Sequence, residues 1–186
     1  MKRSMGARAL VVPTPVYVVG TYDAEGVPNV MTVAWGGICC SKPPCLAISV
    51  RAATYTHGNL MARRAFTVNV PGRRHVREAD YFGIASGRDG SKFTSAGLTP
   101  VPAGTVDAPA VAEFPLSLEC RVVNVAELGL HTQFVGEIID VQADDSVLDA
   151  QGRLDAAAVD PFVYAPEDGH YYALGERLGK AFTLGR

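Results

Sequence analysis

The chain has little of several features that would restrict its function at once. It contains no apolar run near the roughly 18 residues of a membrane-spanning helix. Its 17 basic and 19 acidic residues give a net charge of -2, so it has no positive excess to bind a phosphate backbone or an anionic membrane. We expect neither nucleic acid nor a membrane as a partner. The apolar run before Pro13 is too short for a signal-peptide core, and we expect a cytoplasmic protein.

Common catalytic and metal-binding signatures are also missing. The four cysteines include no C-x-x-C pair: Cys39, Cys40 and Cys45 lie close together and Cys120 lies far away. This spacing fits neither a zinc site nor a secreted disulfide framework. It favours small, partly buried thiols in a reducing compartment, with a redox role as the alternative, and we expect no metal. No G-x-S-x-G, H-E-x-x-H or G-x-G-x-x-G signature occurs, so neither a side-chain nucleophile nor a separate nicotinamide-binding domain is indicated.

What the sequence does contain is β-structure. With 186 residues and 48% hydrophobic content, residues 1–186 are expected to form one domain that buries about 70% of its unfolded surface. Alternating or β-branched runs separated by turn residues predict strands. The predicted strands form a hairpin over 15–34 with its turn at 23–26, single strands over 45–51, 66–70 and 161–166, and a longer hairpin over 116–126 and 132–141.

Helices are fewer and short. A change in the spacing of apolar residues along the chain predicts one helix that begins near 54–56 and a second over 74–82. Residues 35–44 and 85–112 are expected to be loops, the second long enough to suggest a functional role, and 144–160 is helix-prone. At least six strands, two short helices and no βαβ alternation predict a mainly β fold with short helices, an antiparallel barrel.

The segment 47–59 places several hydrogen-bond donors where a predicted strand ends and a predicted helix begins. Arg51, Thr54, Tyr55 and Thr56 fall within six positions. Free N–H groups and the positive dipole end of a helix favour an anion, and a guanidinium offers a planar fork of donors to phosphate. These residues are therefore a candidate phosphate site. Alternatively, Arg51 pairs with a carboxylate and the threonines only cap the helix.

A second strand, 29–35, is expected to run parallel beside this segment. Asn29 and Thr32 interrupt its apolar run. Where strand pairing stops, backbone N–H and C=O groups are free to meet the edge of a flat heterocycle. An ordinary strand with two polar interruptions is the simpler interpretation.

Several segments in order resemble a known family. They are NVMTVAWGGICCSKPP, LAISVRAATYTHGN, FTVNVP, DYFGIASG with KFTSAGLTP, GLHTQFVGEI and YYALGERLGKAF. From about Pro13 to Phe182 the chain resembles the flavin reductase-like family of FMN-binding split barrels, and within it the flavoredoxin group. The resemblance implies an antiparallel split β-barrel of Greek-key type with FMN as its cofactor.

The resemblance also implies site residues. Those expected along the isoalloxazine, largely through main-chain contacts, are Asn29, Val30, Met31 and Thr32. Those expected from the ribityl chain to the phosphate are Ser49, Val50, Arg51, Ala52, Thr54, Tyr55 and Thr56. Lys92 is expected at the phosphate or ribityl chain, or else is a solvated loop lysine. His131 is expected near the ring as the catalytic residue, or else is a turn histidine satisfied by the backbone.

The family resemblance further implies a homodimer with FMN near the interface. Trp35, Tyr171 and Tyr172 would then be interface or flavin-edge groups, with core packing as the alternative. The implied function is a flavoredoxin-type carrier of two electrons between redox partner proteins. The alternative is an NAD(P)H-dependent flavin reductase, in which His131 and residues 85–97 guide a transiently bound NADH or NADPH. A flavin-free binding module or a pyridoxamine phosphate oxidase relative is a third class.

Overall fold

The computed structural model describes residues 1–185 and is rich in strands. The strands are β1 (Thr14–Pro15), β2 (Tyr17–Tyr22), β3 (Pro28–Val33), β4 (Gly36–Ser41), β5 (Pro44–Arg51), β6 (Ala65–Val70), β7 (Pro100–Pro102), β8 (Pro109–Val111), β9 (Leu116–Leu128), β10 (His131–Ala143), β11 (Phe162–Ala165) and β12 (His170–Ala173). The α-helices are α1 (Tyr55–Arg63), α2 (Val76–Ile84), α3 (Lys92–Ala96) and α4 (Ala156–Val159).

Seven strands form one antiparallel sheet in the order β3-β2-β6-β9-β10-β5-β4. β5 lies beside β10 rather than beside β6, which follows it in the chain, so the connection is of Greek-key type. The sheet curls into a barrel, because only Ala34 and Trp35 separate its two edge strands, β3 and β4, and because β3 also contacts β5. Beyond this point the barrel is split, because β3 pairs with β2 along only one of its edges. The predicted antiparallel split barrel is confirmed.

The expected parallel arrangement of the two cleft-forming strands is wrong. Every ladder of the seven-stranded sheet is antiparallel, so β3 and β5, which approach each other across the split, run in opposite directions. The sequence could not show this, because the relative direction of two strands depends on how many others lie between them.

The barrel interior is filled by strand residues that alternate inward. Leu46, Ile48 and Val50 of β5 are 1% exposed or less and pack with Phe66 and other apolar side chains. Gly136 of β10 is required here, because a Cβ at that position would lie 2.5 Å from Phe66 Cζ. The glycine therefore leaves room for an aromatic ring inside a small barrel.

A second apolar cluster holds α2 and α3 against the outside of β3. Phe82 of α2 and Phe93 of α3 are almost fully buried beside Val30 and Phe114. This packing fixes the segment that joins α2 to α3 next to the end of β3. The second cluster therefore determines one wall of the candidate site described below.

Most of the predicted elements are present, with two corrections. Residues 36–41, expected to be loop, form β4, which pairs with β5; two glycines and Pro43 hid the strand in the sequence. Residues 85–112, expected to be one long loop, contain α3 and the β7–β8 ribbon. β4, α3 and the β7–β8 ribbon are all short and depend on tertiary contacts for their stability. Within residues 1–185, no helix is long and apolar enough to cross a membrane.

Candidate functional site

The helix that follows β5 begins as the sequence predicted. Thr54 is its N-cap: its hydroxyl accepts from His57 N at 3.3 Å and donates to Arg51 O at 2.9 Å. The backbone N–H groups of Tyr55 and Thr56, in the first turn of α1, have no partner within the helix. Together with the helix dipole they form a site that favours a negative group.

A cleft opens at this helix terminus, in the split between β3 and β5. Its first part, which we call the ring end, has a volume of ≈ 460 Å³ and its second part, the phosphate end, ≈ 310 Å³. Met31, Thr54 and Gly83 line both parts, so the two are continuous. The ring end is lined by Met31–Trp35, Ser49–Arg51, Thr54, Gly83, Leu130 and His131. The phosphate end is lined by Met31, Ala53–Thr56, Phe82–Arg88 and Lys92.

Two arginines flank the junction of the two parts. Arg51 is exposed at the end of β5, and no carboxylate of residues 1–185 lies within 4.0 Å of its guanidinium. The alternative that Arg51 forms a structural ion pair therefore has no support. Arg88 was missed by the sequence reasoning. It donates to Ala53 O at 3.1 Å and lies 5.7 Å from the centre of the Tyr55 ring. Its only sequence signal is that it follows Ser86-Gly87 at the start of a helical turn.

Lys92 is not a solvated loop lysine. Its side chain is buried, and Nζ donates to Phe82 O at 3.1 Å and Ala85 O at 2.9 Å. These carbonyls belong to the C-terminal end of α2, whose negative dipole end suits a cation. Burial lowers the pKa of Lys92 to about 8. Lys92 lines the phosphate end, where its bonds join the start of α3 to the end of α2, on either side of the segment that carries Arg88.

Of the other residues predicted in the strand-to-helix segment, some line the cleft and one does not. Tyr55 lines the phosphate end, but its hydroxyl donates to Asp23 Oδ2 at 2.7 Å, and this bond raises the pKa of Tyr55. Burial raises the pKa of Asp23, but the bonds from Tyr55 and two backbone N–H groups outweigh it and lower that pKa. Val50 lines the ring end while its side chain packs in the barrel core. Ala52 is exposed and lines neither part.

Asn29 and Val30 are also absent from the cleft lining. Val30 is fully buried on the α2 side of β3. Asn29 is buried and donates to Thr56 Oγ1 at 2.9 Å, which ties β3 to α1. Their side chains therefore hold β3 against the neighbouring helices and do not contact the cleft. Met31 and Thr32, the next two residues of β3, line the cleft.

Gly87 packs directly against Asn29 and Tyr55 at the phosphate end. A Cβ on Gly87 would lie 2.4 Å from Asn29 Oδ1 and 2.6 Å from Tyr55 Cδ1, so no side chain fits. Asn29 Oδ1 is itself buried without a hydrogen-bond partner among the described residues. The backbone of the Ser86–Arg88 turn is thereby held against the helix terminus, and these three residues line the phosphate end.

His131 lines the ring end of the cleft, and its catalytic role stays a prediction. It opens β10 directly after the Gly129-Leu130 turn and is the cross-strand partner of Arg51. Trp35, 37% exposed, forms another part of this wall. Tyr171 and Tyr172 do not line the cleft: Tyr171 packs edge-on against Phe162 in the second apolar cluster.

The donors fit a phosphorylated, planar ligand. The phosphate end offers the α1 terminus and the Arg88 guanidinium, while the ring end offers β3 main chain, an apolar wall and the Arg51 guanidinium. Such a cleft between sheet edges, with convergent polar groups at one end, is typical of a cofactor site. In residues 1–185, no group of three or more His, Cys, Asp or Glu side chains could hold a metal ion.

The fold defines a split-barrel protein, and the cleft is its candidate cofactor site. Residues 7–175 match the family model described as flavin reductase like domain. The chain belongs to the flavin reductase-like family.

Within that family, the chain is similar to two flavoredoxins of known structure and to the reductase component of a monooxygenase. Flavoredoxin of Desulfovibrio vulgaris (Miyazaki F) is 52% identical, with 100% of both chains covered and a TM-score of 0.95. Flavoredoxin from Methanosarcina acetivorans is 29% identical, with 100% of this chain and 98% of that chain covered and a TM-score of 0.92. A Rhodococcus opacus protein, the reductase component of a 4-nitrophenol 4-monooxygenase/4-nitrocatechol 2-monooxygenase, is 31% identical over 64% of this chain and 60% of its own length.

Proposed function

We propose that the protein binds FMN in the cleft and carries two electrons between redox partner proteins, as a flavoprotein of the flavoredoxin type. The observation that carries this proposal is the continuity of a strand-lined, largely apolar ring end, which includes Arg51, with a phosphate end that contains Arg88 and the α1 terminus. The 52% identity to a flavoredoxin over the whole chain supports the same class.

Each group in the cleft has a defined role in this proposal. Arg51 and Arg88 bind the phosphate through charge-assisted hydrogen bonds, and the first-turn N–H groups of α1 donate hydrogen bonds to its remaining oxygens. Lys92 keeps the phosphate end in shape through its bonds to the α2 carbonyls. The main chain at Met31 and Thr32 faces the edge of the flat ring. When bound, FMN supplies the two-electron chemistry, and the protein orients it and adjusts its potential.

An NAD(P)H-dependent flavin reductase is the second candidate. The observation that favours it is that His131 and Trp35 both line the ring end, where they would flank a nicotinamide that stacks on the bound ring. In this case His131 positions a nicotinamide for hydride transfer. The similarity to the Rhodococcus reductase component supports this candidate.

A homodimer is part of the proposal. Trp35, Ile38 and Leu130 are exposed apolar side chains on the strands and turn around the ring end. Burying them against a second copy would remove apolar surface from water and enclose the ring end. We assign this surface to the dimer contact, with one FMN near the interface in each copy.

The deciding experiment is an anaerobic spectrum of the purified protein, followed by separate additions of NADH, NADPH and a reduced carrier protein such as ferredoxin. A yellow protein that bleaches only with the carrier protein supports the electron carrier. Rapid bleaching with a nicotinamide makes the protein a flavin reductase. A colourless protein that does not take up added FMN refutes both and favours a flavin-free binding module or a pyridoxamine phosphate oxidase relative.

A further inference from the structure

Two cysteines face each other at the turn end of the β4–β5 hairpin. In the register of this hairpin Cys40 is the direct partner of Cys45, next to the pair Ser41 and Pro44 that closes the turn. Cys39 occupies the register shift that precedes this pair. The hairpin therefore brings two thiols together that are five positions apart in the chain.

The side chains of this pair share one face of the hairpin. Cross-strand partners in an antiparallel ladder project to the same side. Leu46, Ile48 and Val50 fill the barrel, so alternation places Cys45, and Cys40 with it, on the opposite face. Directly opposed Cα atoms lie about 4.5 to 5.5 Å apart, within the roughly 4.4 to 6.8 Å that disulfides span. A bridge between the two sulfurs thus requires no rearrangement of the strands.

The two thiols differ in access. Cys40 is partly exposed, whereas Cys45 is 6% exposed. Burial, reinforced by the neighbouring Cys40, raises the pKa of Cys45. Within this pair, Cys40 is therefore the thiol that an oxidant in solution reaches, and Cys45 is the adjacent resolving thiol, whereas the exposed Cys39 has no cross-strand cysteine partner. Cys120 is fully buried in the barrel core, where burial raises its pKa to about 12, so it is expected to be inert.

We propose that Cys40 and Cys45 are an oxidisable dithiol that hydrogen peroxide converts into an intramolecular disulfide. In the first step the Cys40 sulfur attacks the peroxide oxygen, the O–O bond breaks, and Cys40 sulfenic acid and one water form. In the second step the Cys45 sulfur attacks the sulfenic sulfur, the S–O bond breaks, and the disulfide and a second water form. Each thiol loses one hydrogen, and the peroxide takes up both electrons.

The dithiol is independent of the proposed cofactor site. Cys45 is six residues from Arg51 along β5, about 20 Å at the rise of a strand. Oxidation is therefore expected to stiffen the turn end of the hairpin and leave ligand binding at the phosphate end unchanged. A failure of the FMN proposal would not affect the thiol chemistry, and the reverse also holds.

The test uses the full-length protein, reduced and then treated with one equivalent of hydrogen peroxide. After the remaining thiols are blocked under denaturing conditions, trypsin is expected to release Cys39, Cys40 and Cys45 together in peptide 9–51, because Lys42 precedes a proline, and Cys120 separately in peptide 93–121. We expect peptide 9–51 with a single blocked thiol and two hydrogens fewer than its reduced form. Dithiothreitol should restore three blockable thiols.

Variants identify the partners. Cys40→Ala and Cys45→Ala should each abolish the internal disulfide, while Cys39→Ala, the matched control one position away, should retain it. If Cys45→Ala does not fold, Cys40→Ala with the peptide map of the parent decides alone. A disulfide that survives in Cys40→Ala and disappears in Cys39→Ala would overturn the assignment. So would a crosslink to peptide 93–121, or oxidation that yields only intermolecular disulfides or sulfinic acid.

Discussion

Replacing Arg51 with alanine tests the proposed contact between Arg51 and the phosphate directly. The exposed guanidinium has no carboxylate within 4.0 Å among residues 1–185, so its removal leaves no buried charge unpaired. A hydrogen bond to a charged group contributes about 1.5 to 3 kcal/mol, which corresponds to a rise of roughly 10- to 150-fold in the Kd for FMN. Because Arg51 is exposed, we expect the lower part of this range at physiological salt.

The comparison of two ligands makes this prediction specific. Titration calorimetry with riboflavin, which has the ring and ribityl chain but no phosphate, should give the same Kd for the parent and Arg51→Ala. Arg153→Ala is the matched control, because Arg153 is an exposed arginine paired with Asp149 outside the cleft. Equal losses for FMN and riboflavin would show that Arg51 acts on the ring or on the fold. No loss for either would remove Arg51 from the site.

Three further predictions concern the rest of the cleft. His131→Ala should leave the Kd for FMN within about twofold and slow reduction of the flavin, and an unchanged stopped-flow rate would make the histidine structural. Gly87→Ala should lower the free energy of unfolding by about 1 to 3 kcal/mol in denaturant titrations, because its Cβ would clash with Asn29; Gly58→Ala, with open space around it, is the control, and similar losses in both would contradict this reasoning. Burial lowers the pKa of Lys92 from 10.5 to about 8, so between these values the unfolded chain binds more protons and stability rises with pH. Relative to Lys92→Met, the parent should gain up to about 3 kcal/mol over this window, and a flat difference would refute the lowered pKa.

Local patterns in the sequence were sufficient for most of the elements. The hairpins around 23–26 and 129–130 were recognisable because β-branched runs flank turn residues. The start of α1 was recognisable because Thr54 can cap a helix. β4 and the β7–β8 ribbon were not recognisable, because their glycines and prolines favour loops and their strands form only against partners.

Some residues of the candidate site could likewise be predicted from the sequence, and others could not. Arg51, Thr54 and His131 could be predicted, since a strand end and a turn are local features and the family resemblance assigned their roles. Arg88 could not, because nothing near it in the chain shows that its guanidinium lies over Tyr55. The burial of Lys92 could not either, because it depends on carbonyls at the end of another helix.

By itself, therefore, the sequence determined the strand-rich composition, the cap of α1 and the position of arginine and threonine at the end of β5, because each depends on residues within a few positions. The tertiary structure alone decided that β3 and β5 face each other across a split, that Arg88 joins the phosphate end and that Cys40 lies opposite Cys45. These arrangements are set by strand register and packing between distant segments, and no local pattern encodes either.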